Sequence, residues 1–282
     1  MRHTLFTATG CQRCKIAKRF MDEHKIDYEE VDIKGEGMDA FREFYGKNRK
    51  SVYRGKEGIE FPVYTDGTTI RQGVGVVIAY LQAGAKLDGF IGRSQLAKGW
   101  IDGLHISGGD LVMAKEFIAV MRILKKGGLK LRVDTNGKNV SVLDQLLAHG
   151  IGDRVVMDVK GPLTLYRNLF GEEVDQTEIT KSIALVTKFP EYEFQTTVAP
   201  IIRLKGETPE ISYMAPEEIG ETAKLIKDVT GSHNHPYLLR LFDPGSCLDD
   251  RFKSIEELPY SAMFKYRTAA RQHQVLAEIE KR

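Results

Sequence analysis

Thr9-Gly10-Cys11-Gln12-Arg13-Cys14-Lys15-Ile16-Ala17-Lys18 is the stretch that decides how the chain begins to fold. Before it, Leu5 and Thr7 alternate, so Arg2 to Thr7 is expected as a short strand running into the Thr9-Gly10 turn. After it, Ile16, Ala17, Phe20 and Met21 recur at helical spacing and predict a helix from Cys11 to about His24. The two cysteines therefore stand where a strand gives way to a helix. Unpaired N–H groups and the dipole at a helix start favour a thiolate over a thiol, and Arg13 and Lys15 add positive charge. Cys11 is expected as the attacking sulfur and Cys14, within the first turn, as the resolving one. The same pair is also half of a zinc site, but no second pair follows and only scattered histidines remain to complete it, so no metal site is expected.

Further out, Tyr28 to Ile33 reads as a second strand and Met38 to about Tyr45 as a second helix. Phe61-Pro62-Val63-Tyr64 and Thr68 to Arg71 flank Asp66-Gly67, a hairpin signal. Val74 to Ala83 closes the segment as a helix, and the order βαβαββα over residues 1–84 is that of the thioredoxin fold. Cys11-Gln12-Arg13-Cys14, Phe61-Pro62-Val63, and Gly73-Val74-Gly75 before a helix ending Ala79-Tyr80-Leu81 together resemble the glutaredoxins over this whole domain. The resemblance implies thiol–disulfide exchange at Cys11 and Cys14, with Arg13, Lys15, Phe61 and Pro62 as the thiol-substrate pocket and a cis peptide before Pro62. The partners it implies are a disulfide-containing protein or glutathione. One departure is Gln12-Arg13, where glutaredoxins often carry Pro-Tyr.

Residues 85–99 carry Gly89, Gly92 and Gly99 without clear periodicity and read as a linker. From residue 100 to residue 282 the pattern becomes α/β. Strands are expected at Trp100–Ser107, Leu129–Asp134, Arg154–Val159, Glu193–Val198 and Tyr237–Phe242. Helices are expected at Val112–Lys126, Val140–His149, Thr177–Lys188 and Pro216–Thr230, followed by a C-terminal helix from about Ser261 to Lys281. Such alternation predicts a parallel sheet with right-handed crossovers, whose ligands gather at the carboxyl ends of the strands.

Those strand ends read Ser107-Gly108-Gly109-Asp110, Asp134-Thr135-Asn136-Gly137, Met157-Asp158-Val159-Lys160 and Thr196-Thr197-Val198. In order and spacing they resemble the radical-SAM activating enzymes of glycyl-radical proteins, especially activators of anaerobic ribonucleotide reductase. The resemblance implies a partial (βα) barrel and an S-adenosylmethionine pocket whose remnant would be Gly108, Gly109, Asp110, Asn136, Asp158, Lys160 and Thr197, gathered at one rim. It also implies a glycyl-radical system as partner. Taken singly, the same residues are ordinary: Asn136-Gly137 is a generic turn, and Asp158 with Lys160 is a simple ion pair.

Three departures bear on chemistry. Five βα units are visible where that family has six, and the missing first unit is the one whose loop carries the three cluster-binding cysteines. No cysteine lies between Gly84 and Gly108, and a [4Fe–4S] cluster there has no thiolate ligands. Asp110, Leu111 and Gln195 replace the usual Glu, Pro and Arg. The barrel is therefore expected not to cleave S-adenosylmethionine, and the leading function is a thiol–disulfide oxidoreductase needing no other cofactor. Two alternatives stand beside it: an iron–sulfur activating enzyme with unusual ligands (Cys11, Cys14 and Cys247), and a non-catalytic docking module. The lost strand also leaves a sheet edge to be covered, for which the linker and the first domain are nearest, bringing Cys11 near the old cluster position.

A chain of 282 residues with 42% hydrophobic and 28% charged residues is ordinary for a globular protein, and a net charge of +2 gives no reason to expect nucleic acid. No apolar run has the length of a membrane span or signal peptide. With three cysteines a secreted disulfide framework is excluded, and a cytoplasmic location is expected.

Overall fold

A computed structural model describes residues 3–56, 58–93, 99–106, 114–205 and 208–281. The amino-terminal part runs β1 (His3–Thr7), α1 (Gln12–Glu23), β2 (Tyr28–Asp32), α2 (Met38–Lys47), the two-residue strands β3 (Arg54–Gly55) and β4 (Gly58–Ile59), β5 (Val63–Thr65), β6 (Ile70–Gln72) and α3 (Val74–Ala83). Its main sheet has the order β2-β1-β5-β6, with β1 parallel to β2 and antiparallel to β5. Alternation along β1 sends Leu5 to one face, where it meets Ala17, Met21, Tyr64 and Val77, and Phe6 to the other, against Phe41, Val52 and Val63. The small β3–β4 hairpin was not expected from the sequence.

The rest comprises β7 (Trp100–Ile106), α4 (Ala114–Lys126), β8 (Lys130–Thr135), α5 (Val140–Ala148), β9 (Arg154–Asp158), α6 (Tyr166–Phe170), α7 (Gln176–Val186), β10 (Glu191–Val198), β11 (Pro200–Lys205), β12 (Thr208–Tyr213), α8 (Pro216–Thr230), β13 (Tyr237–Leu241), α9 (Asp250–Lys253), α10 (Met263–Arg271) and β14 (Ala277–Ile279). The sheet has six strands in the order β14-β13-β10-β9-β8-β7, one more than the five expected. β11 and β12 form a separate antiparallel hairpin, also unexpected.

The sixth strand corrects the expected C-terminal helix over Ser261–Lys281. The helix stops at Arg271, and β14 pairs in parallel with β13, Leu238 opposite Glu278. Gln274 forces the break. It is fully buried, its side chain accepts the His235 N–H at 3.1 Å and donates to the Ser232 carbonyl at 3.1 Å, and the Val275 N–H reaches the His233 carbonyl at 2.9 Å. Ala277 and Ile279 then bury while Glu278 faces out. That two-residue period is too short to outweigh the helical pattern before it.

The chain divides into two compact units, one of residues 1–105 and 109–132, the other of residues 106–108 and 133–282. In the first unit α4 packs on α3. A Cβ on Gly127, just beyond α4, would stand 2.6 Å from Ile16 Cδ1 and 2.7 Å from Ile16 Cγ1, so the approach to α1 requires glycine there. β7 lies at the end of the six-stranded order, and the linker covers its edge. The His105 N–H donates to the Phe90 carbonyl at 2.7 Å, Ile91 bridges Leu104 in antiparallel fashion, and the Gly92 N–H meets the Gly103 carbonyl. Among the described residues no helix is long and apolar enough to cross a membrane.

Candidate active site

Cys11 is the N-cap of α1, in extended backbone, and is disulfide-bonded to Cys14 with the Cα atoms 5.3 Å apart. The Cys14 N–H donates to Cys11 Sγ at 3.1 Å, satisfying one of the open donors of the first turn at the sulfur itself. Cys14 is 2% exposed, whereas Cys11 is only half-buried, so the disulfide presents one sulfur to an incoming thiolate. Pro62 follows a cis peptide, and the Phe61 carbonyl oxygen lies 4.0 Å from Cys11 Sγ. The turn before the cysteines is held to β2: the Thr9 N–H donates to Asp32 Oδ1 at 3.1 Å, and the Thr9 hydroxyl donates to Oδ2. The Thr9 hydroxyl, with the Lys34 and Thr9 N–H groups, keeps the Asp32 carboxyl below its ordinary range.

Arg13 is held by two partners other than the cysteines. Its guanidinium donates to Glu60 Oε1 at 2.8 Å and to the Trp100 carbonyl at 2.6 Å, and both ion-pair partners are largely buried. Burial raises the Glu60 carboxyl above its usual value, while Arg13 opposes the rise. Glu60 escaped the sequence analysis; its signal was an acidic residue immediately before the Phe61-Pro62 turn. Lys15 is exposed on the first turn of α1.

Trp100 is the first residue of β7, so the Arg13 contact sets the redox loop at the amino end of that strand.

In the other unit, Asn136, Asp158, Lys160 and Thr197 sit at or near the carboxyl ends of the neighbouring strands β8, β9 and β10. Gly108, Gly109 and Asp110 lie outside the described residues. Much of the polar capacity at this rim is spent internally. Asn136 Oδ1 accepts the Lys138 N–H at 3.1 Å, Lys160 pairs with Asp158 Oδ2, and the Thr196 hydroxyl donates to the Val159 carbonyl at 2.6 Å. Tyr237, 2% exposed, in turn donates to Thr196 Oγ1 at 2.8 Å. Asp158 Oδ1 is buried without a hydrogen-bond partner. Cys247 is a free thiol following Pro244–Ser246, and His235 is buried between the Tyr192 hydroxyl at 2.8 Å and the Thr230 hydroxyl at 2.7 Å.

The donor set does not fit the iron–sulfur cluster implied by the resemblance. Cys247 is the sole cysteine after residue 14, and three thiolates on one loop exist nowhere in the sequence. Among the described residues no three His, Cys, Asp or Glu side chains are placed to hold a metal ion.

The glutaredoxin family model matches residues 4–51. A curated protein of Methanocaldococcus jannaschii that carries the name of a glycyl-radical enzyme activating enzyme is 29% identical over 161 residues, covering 55% of this chain and 60% of that protein. The chain thus spans less than two thirds of the length of this relative. A crystal structure of a domain of pyruvate-formate lyase-activating enzyme from Bacteroides vulgatus aligns with a TM-score of 0.44 at 16% identity, over 64% of this chain and 99% of that one. The chain thus carries an amino-terminal segment that matches the glutaredoxin family, and 161 of its residues are similar to a glycyl-radical enzyme activating enzyme.

Proposed function

We propose that the chain is a thiol–disulfide oxidoreductase acting through Cys11 and Cys14. The observation that carries this reading is the half-buried Cys11 at the N-cap of α1, disulfide-linked to a buried Cys14. In the reduced protein the Cys11 thiolate attacks one sulfur of a substrate disulfide, forming a mixed disulfide and releasing one substrate thiolate. Cys14 then attacks Cys11 Sγ, the second substrate thiolate leaves, and the Cys11–Cys14 disulfide forms. The substrate gains two electrons, and an external thiol returns the enzyme to the dithiol. The helix start stabilises the thiolate of Cys11, and the Cys14 N–H already points at its sulfur.

The βα domain serves in this reading as a scaffold that brings the redox centre to a disulfide-containing partner. Its relation to activating enzymes favours a protein of a glycyl-radical system as that partner, in a reducing cytoplasm. Reductive cleavage of S-adenosylmethionine is not assigned to it, since the chemistry resides in a cluster whose three-cysteine loop this sequence lacks.

Turnover of a model disulfide by wild type, Cys11→Ser and Cys14→Ser tests the reading. Activity should vanish in Cys11→Ser, and Cys14→Ser should accumulate a mixed disulfide at Cys11 visible by mass spectrometry. Equal alkylation rates for the two reduced thiols at neutral pH would count against it. Formation of 5′-deoxyadenosine by iron-reconstituted, reduced protein would instead promote an activating enzyme with unusual ligands.

A further inference from the structure

Arg13 lies between the two cysteines, and Glu60 immediately precedes the residue whose carbonyl faces Cys11. Their ion pair, at 2.8 Å and with both side chains less than one-fifth exposed, is therefore built into the wall of the redox site. The second guanidinium hydrogen bond, to the Trp100 carbonyl at 2.6 Å, takes up more of the fork. Glu60 also lies over the start of α3. A Cβ placed on Gly73, the N-cap of that helix, would stand 3.1 Å from Glu60 Oε1 and 3.4 Å from Oε2. Asp102 and Arg93 face the same carboxyl from further along the chain. Two features beside a disulfide attract a substrate carboxylate: a guanidinium and a helix start. The protein's own anion is paired with the first and lies beside the second.

We infer that Glu60 is the specificity-determining residue of this redox centre, excluding thiols that carry a negative charge beside the sulfur. The substrate class that follows is a neutral or cationic segment of a protein disulfide, with acidic small thiols such as glutathione disfavoured. This deepens the oxidoreductase reading and rests on it.

The test uses the oxidised full-length protein and small thiols of graded charge: cysteamine, 2-mercaptoethanol, 3-mercaptopropionate and glutathione. An external thiolate attacks Cys11 Sγ and expels the Cys14 thiolate. A second thiolate then attacks the external sulfur, releasing the small-molecule disulfide and the protein dithiol. Rates are compared per thiolate. In Glu60→Gln, which frees Arg13 and removes the resident anion, 3-mercaptopropionate and glutathione should speed up about tenfold, while 2-mercaptoethanol changes by less than about twofold. An equal change for all four thiols, or no change for the acidic ones, overturns the assignment. The wild type supplies an independent measurement should the variant fail to fold. Its rate ratio of 3-mercaptopropionate to 2-mercaptoethanol should not fall between low salt and about 0.5 M salt, because the Arg13 guanidinium is already held by Glu60. A several-fold fall refutes the inference. Failure of 2-mercaptoethanol to open the wild-type disulfide at all would strike the oxidoreductase reading itself, an outcome distinct from lost charge selectivity.

Discussion

The redox loop and the carboxyl rim of the large sheet both carry recognisable residues, yet they are organised in opposite ways. At the loop, an exchangeable sulfur stands half-buried at a helix start, with its partner buried behind it and a cis proline beside it. At the rim, Asn136 closes its own turn, Asp158 is paired with Lys160, and Thr196 is spent on the Val159 carbonyl. Residue type and order survive in both regions. What distinguishes them is how much of the polar capacity is spent within the chain: at the rim all the named groups but Asp158 Oδ1 have partners in the chain, whereas at the loop Cys11 stays open to an incoming thiolate. A motif is a statement about ancestry until its atoms are shown to be free.

The strongest way to break this comparison is to exchange the importance of the cysteines. Cys11→Ser should lower disulfide turnover by at least about a thousandfold, since nothing else supplies the nucleophile. Cys247→Ser should leave the rate within about twofold. A comparable loss in both variants would show that Cys11, Cys14 and Cys247 act together, as cluster ligation requires.

Next in size is the covered edge of β7. A side chain at Gly103 would drive into the Gly92 carbonyl and lie 2.8 Å from the Arg93 carbonyl, both rigid backbone. Gly103→Val should therefore cost about 3 kcal/mol in urea unfolding and expose an unpaired strand edge, seen as concentration-dependent aggregation. Unchanged stability would mean that the linker does not need this contact.

Thr196→Val sharpens the rim side of the comparison. It removes the donor to the Val159 carbonyl and strands the buried Tyr237 hydroxyl, at a cost of about 2 kcal/mol. Thiol exchange in the folded variant should stay at the wild-type rate; a large loss of turnover would give the rim a part in the redox reaction.

The smallest effect concerns acid stability. Burial works against the Asp66 carboxylate, but the N–H groups of Thr69 and Thr68 and the hydroxyls of Thr68 and Tyr80 hold its pKa well below the ordinary range. A lowered folded-state pKa contributes stability above the unfolded value of ~3.9 and loses it as pH falls toward the folded value. Asp66→Asn should thus cost about 1 kcal/mol near neutrality. The gap from wild type in thermal unfolding should narrow below about pH 4. A gap that widens on acidification would contradict the assignment.

Much of the fold was legible because local signals agreed with their surroundings. Val74–Ala83 and Pro216–Thr230 form helices with the expected limits. The latter carries proline in its first turn and Glu218 reaching back to the Ala215 N–H at 2.7 Å. What stayed hidden depended on distant atoms. Gln274 ends α10 through Ser232 and His235, some forty positions earlier in the chain. Glu60 matters only because Arg13 folds against it. The contact of Arg13 with the first residue of β7 rests on one guanidinium and one carbonyl, which no periodicity encodes.

The missing side chain at Gly127 has a consequence for inheritance. It lets the end of α4 press on Ile16 of the redox helix, so the glutaredoxin domain is completed by the first βα unit that follows it. A recombination event that cut the chain near Gly84 would separate two halves of one core, not two finished modules. Transplanting the redox domain into another protein therefore calls for a junction after residue 132, carrying β7 and α4 along as part of the graft.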